Sequence, residues 1–138
     1  MTYDELRRAN QARINALPIK FAFSDEQFDR AMKEICLFPD QVDQIRGIGF
    51  GGGFCHVKDY DRIMRAFDEV GAAMTKAMED DEFFIQAVAS ELANHEYIIT
   101  WDPTDALGAL DIKLDNERSI RLFSEGRKRY LEKAKEWI

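Results

Sequence analysis

Residues 91–112 read ELANHEYIITWDPTDALGALDI, and their order decides how the neighbouring helices are joined. The segment holds one of the chain's two histidines, one of its two tryptophans and a proline-marked helix start. Asp102, Pro103, Thr104 and Asp105 supply an aspartate cap, a proline at the first helical position and a carboxylate at the third. That order satisfies exposed backbone N–H groups and places proline where its missing N–H costs little. The helix that follows is short, with Ala106, Leu107 and Leu110 facing inward. Upstream, Phe83, Phe84, Ala87, Val88 and Leu92 form an apolar helical face ending near His95. Residues 97–101 then read as a crossing between the two helices.

The same reading extends in both directions. Residues 79–82, EDDE, place four carboxylates at a helix junction, where they suit the following N-terminus better than the preceding C-terminus. Before them, Tyr60, Ile63, Met64, Phe67, Val70, Met74 and Met78 recur at three- and four-residue steps behind Asp59 as cap, which predicts a long helix. After residue 112, a last helix starts at about Asn116, with Ile120, Phe123, Arg127, Tyr130, Ala134 and Trp137 as its stripe. Seven basic and four acidic residues between 117 and 136 give this helix a local excess of positive charge.

At the start of the chain, Thr2 with Glu5 and Ser24 with Gln27 have capping-box spacing, predicting a first helix closed before Pro18 and a second running to about Cys36. Residues 19–23, IKFAF, suit a short extended segment. Pro39 fits the first turn of a short third helix through about Ile45. Residues 47–53, GIGFGGG, hold five glycines and cannot form a helix interior. Residues 54–57 then suit a short strand, pairing with 19–23 or with the segment before the glycines. The fold class is therefore mainly α, about six helices in one globular domain over residues 1–138, with a small β element near the glycines.

Composition narrows function. The chain has 138 residues, 46% of them hydrophobic, with 16 aromatics, enough for one core. Its formal net charge of −7 disfavours nucleic acid, whose backbone is bound by lysine and arginine. Two cysteines and a strongly charged opening without an apolar leader point to the cytoplasm. No window reaches the roughly 18 uninterrupted apolar residues of a membrane span.

Candidate chemistry centres on Glu91 and His95, one helical turn apart, with Glu96 beside them and Asp102 or His56 able to complete a metal or acid–base site across space. Position 99 is Ile99, so the HExxH pattern lacks its second histidine. The competing reading bonds His95 to Glu91 or to a backbone carbonyl at the helix end. Gly47, Gly49 and Gly52 satisfy GxGxxG literally, but a helix-like segment precedes them and a strand-like one follows, so a turn is the simpler reading. Cys55 and His56 are adjacent and on a strand would point to opposite faces, so Cys55 reads as a buried cysteine. No cofactor is indicated. A protein partner is expected, contacting Gly51, Gly52, Gly53 and Phe54, the acids Glu79, Asp80, Asp81 and Glu82, and Tyr97 with Trp101. Self-association through the last helix, by Trp137 and Ile138, is a further possibility.

Three stretches together, TYDELRRANQARINALPIKFAFSDEQF, GIGFGGGF and the pattern ELANHEYxxTxDxxDALxAL, resemble a family of small uncharacterised proteins of bacteria, phages and mobile elements that carry a domain of unknown function. The likeness covers roughly residues 2–112. It implies no catalytic residue. It does imply a genomic setting in which small acidic proteins often bind host or defence proteins.

Overall fold

A computed structural model describes residues 1–49 and 51–137, without the side chain of Trp137. Among the described residues the chain is mainly α: seven α-helices and one two-stranded antiparallel sheet beside the glycine run. In chain order these are α1 (Tyr3–Asn15), α2 (Asp25–Glu34), β1 (Ile45–Gly47), β2 (Phe54–His56), α3 (Tyr60–Ala77), α4 (Asp81–Asn94), α5 (Tyr97–Thr100), α6 (Thr104–Ala109) and α7 (Glu117–Ala134). No described helix is long and apolar enough to cross a membrane. Two compact units divide the chain: Gln11–Gly71, and Met1–Asn10 with Ala72–Ile138.

The unit Gln11–Gly71 is organised by a hairpin. β1 pairs with β2 in the register Ile45↔His56, Arg46↔Cys55 and Gly47↔Phe54, and Lys20 exchanges two backbone hydrogen bonds with Phe54 on the other side of β2. Both pairings open to residues 54–57 in the sequence are therefore used. Because successive strand residues point to opposite faces, Phe54 packs with Ala31 and Met32 of α2, while Cys55 packs with Ile48 and with Ile63 of α3. Gly49, Gly51 and Gly52 have positive φ, which glycine adopts without steric penalty, and they turn the hairpin. Phe50 lies outside the described residues.

Three local readings are corrected in this unit. The helix expected from Pro39 to Ile45 is one 3-10 turn, Val42–Gln44, and Ile45 already begins β1. Phe38 donates its N–H to Gln41 Oε1, so side-chain turns satisfy the backbone there and strand pairing claims residues 45–47. The glycine run is accordingly preceded by a strand, not by a helix-like segment. Asp59 does not begin the long helix as its cap. It ends a 3-10 turn, Val57–Asp59, whose cap is His56, with Nδ1 accepting from the Lys58 N–H at 3.1 Å.

In the unit Met1–Asn10 with Ala72–Ile138, α4 packs along α7. Phe84, Val88 and Leu92 meet Leu122, Tyr130 and Ala134, joined by Tyr97 and Ala106. Burial of a leucine such as Leu92 or Leu122 stabilises the fold by roughly 2 kcal/mol. Tyr3 on α1 forms a second cluster with Phe83 and Ala87. Thr2 with Glu5 forms the capping box read from the sequence, and Asp80 on Phe83 N and Asn116 on Ser119 N cap α4 and α7. The cap expected at Asp102 is corrected: α6 begins at Thr104 with Pro103 at its cap position and no side-chain cap, and Asp102 instead closes a local turn onto the Thr104 N–H.

The buried face of α7 keeps Tyr130 and Ala134 of the expected stripe and differs elsewhere. It consists of Ser119, Leu122, Gly126, Tyr130 and Ala134, while Ile120 is 49% exposed. Small residues let two helix backbones approach, so Ser119 and Gly126 face inward although neither reads as apolar. The side chain of Trp137 and all of Ile138, invoked for self-association, lie outside the described residues.

The crossing at residues 97–101 is itself one helical turn, α5, held between Glu96 and Trp101 in the left-handed region, at φ 52° and 57°. A non-glycine residue there carries a steric penalty of about 1 kcal/mol. Glu96 is exposed and its side chain caps nothing in α5. Glu96→Gly is therefore expected to raise stability by about 1 kcal/mol, read as a higher urea midpoint. An unchanged or lower midpoint would contradict this account of the turn.

Candidate functional site

Helix α4 carries Glu91 inward in its last turn, where only 6% of it remains exposed. A buried carboxylate is costly unless donors surround it. Glu91 has two: Oε1 accepts from the Tyr3 hydroxyl at 2.5 Å and from Asn94 Nδ2 at 3.4 Å, while Oε2 lies 3.4 Å from His95 Nε2. The four-residue step does bring Glu91 and His95 to one face. His95 forms the C-cap of α4, its backbone N–H donating to the Glu91 carbonyl. Burial and then the hydrogen bond to Glu91 push the Tyr3 hydroxyl well above the ordinary tyrosine range.

Tyr3 was not marked as a site residue by any pattern in the sequence. Its pairing with Glu91 spans 88 positions, and the only local signal beside it is the capping box of Thr2 and Glu5. Tyr3 also lines a groove of about 410 Å³ with Asp4, Gln86, Ser90, Asn94 and Lys133. Several of these groups bond one another. The Tyr3 N–H donates to Gln86, and Ser90 donates to Asp4.

The remaining metal and acid–base candidates are placed as follows. Glu96 is exposed on the left-handed turn after α4. Asp102 Oδ1 accepts from both the hydroxyl and the N–H of Thr104, and those two bonds, the hydroxyl first, hold its carboxyl below the usual range. His56 uses Nδ1 to cap the 3-10 turn before α3. No three His, Cys, Asp or Glu side chains among the described residues are placed to share one metal ion. Cys55 is fully buried against Ile48 and Ile63, and burial pushes its thiol up.

The expected partner surfaces divide sharply. Gly51 and Gly52 are exposed, but Gly53 and Phe54 are buried, so those two present no surface to a partner. A side chain on Gly53 would collide with Ile48 and Phe21, both within 3 Å. Among the four acids, Asp80 caps α4, Asp81 pairs with Arg118 and Arg121, and Glu82 receives both Arg129 nitrogens. The basic excess of α7 is thus spent largely on α4. Glu79 offers its carbonyl to Arg118.

Of the last expected pair only Trp101 is exposed; Tyr97 offers no surface of its own and supports Trp101 from beneath. Tyr97 is buried, and its hydroxyl accepts from Arg127 Nε at 2.8 Å. Its ring meets those of Trp101 and Tyr130 edge-on, with centroids 5.5 and 6.0 Å away. Arg127, which interrupts the apolar stripe of α7, thereby acquires a role. Above this support Ile99 is 71% and Trp101 57% exposed.

The model of a family of unknown function (DUF7659) matches residues 2–133. No curated protein and no solved structure matches.

Proposed function

The chain belongs to the DUF7659 family of unknown function, and from that premise we propose that it is a non-enzymatic binding protein. In this reading it is an accessory or anti-defence protein of a phage or mobile element, and its target is a host or defence protein. The observation that carries the reading is the exposed pair Ile99 and Trp101, raised on a turn whose two flanking residues are both left-handed. Backbone held in a disfavoured region is retained where surrounding structure over-determines it, and such positions concentrate at working surfaces. A tryptophan pre-positioned by a buried tyrosine loses little freedom on binding, which suits a hot-spot anchor.

The acids around it add chemistry. Glu96, Asp102 and Asp105 are all exposed and lie within six residues of the apolar pair in sequence, and the whole chain carries −7. The complementary surface is an apolar pocket with a basic rim, and the net charge would speed the encounter.

Trp101→Ala is expected to abolish capture of a specific host protein while lowering the unfolding free energy by no more than about 3 kcal/mol, the worth of its ring contact together with the part of its surface that is buried. Parallel pull-downs with wild type and variant, followed by titration of the purified captured protein, make the measurement. Capture of the same protein by both forms, or no reproducible partner for wild type, overturns the proposal.

A further inference from the structure

Three arginines converge on one groove of this acidic chain. In the unit Gln11–Gly71 a groove of about 320 Å³ is lined by Arg13, Arg62, Arg65 and Glu69 over an apolar floor that includes Leu17 and Pro18. The placement follows from helix geometry. Arg62, Arg65 and Glu69 lie three and four residues apart on α3 and so share a face, while Arg13 comes from the last turn of α1. For a protein of net charge −7, three guanidinium groups against one lining carboxylate is a local reversal of sign.

The charges are only partly matched. Glu69 is bonded to Arg13, which holds its carboxyl below the usual range, and the charge of Arg65 acts in the same direction. Arg62 reaches Asp59 at 3.5 Å. Arg65 has no hydrogen bond or ion pair among the described residues, so one guanidinium fork faces the groove without a bonded anion. Glu69 already occupies the position a single carboxylate would take. What the remaining donors match is a dianion, whose three oxygens can accept from two forks at once.

We propose that this groove binds a small phosphate monoester, with Arg65 and Arg62 taking the oxyanion, Arg13 supporting it and Leu17 with Pro18 receiving the organic body. A volume near 320 Å³ is at the lower end of the roughly 300–1,000 Å³ of small-molecule sites, which suits a single ring or short chain rather than a macromolecular segment. Glu69 acts as an internal counter-ion competing for Arg13. The site is separate from the Ile99 and Trp101 surface and does not depend on it.

The test is a titration of the full chain with phenyl phosphate, and separately with inorganic phosphate, following arginine Nε–Hε resonances at constant ionic strength set by chloride. Saturable shifts of Arg13, Arg62 and Arg65 are expected, with phenyl phosphate the tighter probe. Arg65→Gln should weaken binding roughly tenfold, as loss of a charge-assisted fork implies. Glu69→Gln should tighten it severalfold by removing the competing carboxylate. Arg65→Lys, which keeps the charge without the fork, should fall between wild type and Arg65→Gln and serves if the latter does not fold. Shifts reproduced by chloride alone, absence of saturation, unchanged affinity in both Arg65 variants, or weaker binding in Glu69→Gln would each overturn the proposal.

Discussion

Gly126→Ala is expected to lower the unfolding free energy by about 2 kcal/mol, although alanine is the better helix former by about 1 kcal/mol. Gly126 is buried in the middle of α7, where the helix lies against α4. A Cβ at this position would stand 2.6 Å from both Cβ and Cγ1 of Val88 and 3.0 Å from the Ile85 carbonyl oxygen. None of these atoms is the far end of a flexible side chain, so relief requires the two helices to part. Overpacking costs about 1–3 kcal/mol, and a contact this close belongs near the top of that range. Gly126→Leu should exceed it and prevent the α4–α7 core from closing. Gly71→Ala is the control: no atom lies within 4 Å of its added Cβ, and about 0.5–1 kcal/mol of stabilisation is expected. Urea midpoints for the three variants decide the matter. A Gly126→Ala protein as stable as wild type would mean that the helices do not approach closely at this residue.

The same glycine shows what the sequence could and could not disclose. The capping boxes were legible because they are local: Thr2 with Glu5 and Ser24 on Gln27 each span three residues. The lone aspartates read as caps, Asp59 and Asp102, are taken up by the turns that precede their helices. The mainly helical class and a β element beside the glycines followed from periodicity and from backbone entropy. On α7 hydrophobic periodicity placed Phe123, Tyr130 and Ala134 but missed Ser119 and Gly126, because those inward positions are chosen for smallness and not for apolarity. The helix read from Pro39 failed before the glycine run, where pairing with β2 decides the state of residues 45–47.

At the candidate site the pattern was similar. The Glu91–His95 step is a helix property and was visible. The third member, Tyr3, is brought to Glu91 by tertiary packing alone and could not be read from spacing. His56, open to reading as a ligand, turned out to spend Nδ1 on a local cap. The support of Trp101 by Tyr97 was within reach of a four-residue step, but Arg127 looked like a defect in a stripe until its bond to the Tyr97 hydroxyl was seen.

Tyr3→Phe should carry the other large effect, because it strips the shortest hydrogen bond from a carboxylate that has almost no access to water. A hydrogen bond to a charged group contributes about 1.5–3 kcal/mol, and the orphaned partner adds its own desolvation. A loss of about 2–3 kcal/mol is therefore expected, and Glu91→Leu should cost a similar amount by leaving the Tyr3 hydroxyl unpaired. The double variant tests whether the two losses share one cause: combined, they should fall short of additivity by about 1–3 kcal/mol. The pH dependence supplies an independent sign. Burial, the bond to Glu91 and the charge of Glu91 all raise the folded pKa of Tyr3 above its unfolded value of about 10. A raised pKa means that the folded chain holds this proton more tightly, so the stabilisation is complete below about pH 10 and is lost as pH rises through and beyond it. Wild type should accordingly lose up to about 1.4 kcal/mol more per pH unit than Tyr3→Phe above that point, other tyrosines and lysines being common to both. Parallel alkaline unfolding curves for the two proteins would show that the Tyr3 proton is not held by Glu91, and with it would go the account of how a buried carboxylate is tolerated at the end of α4.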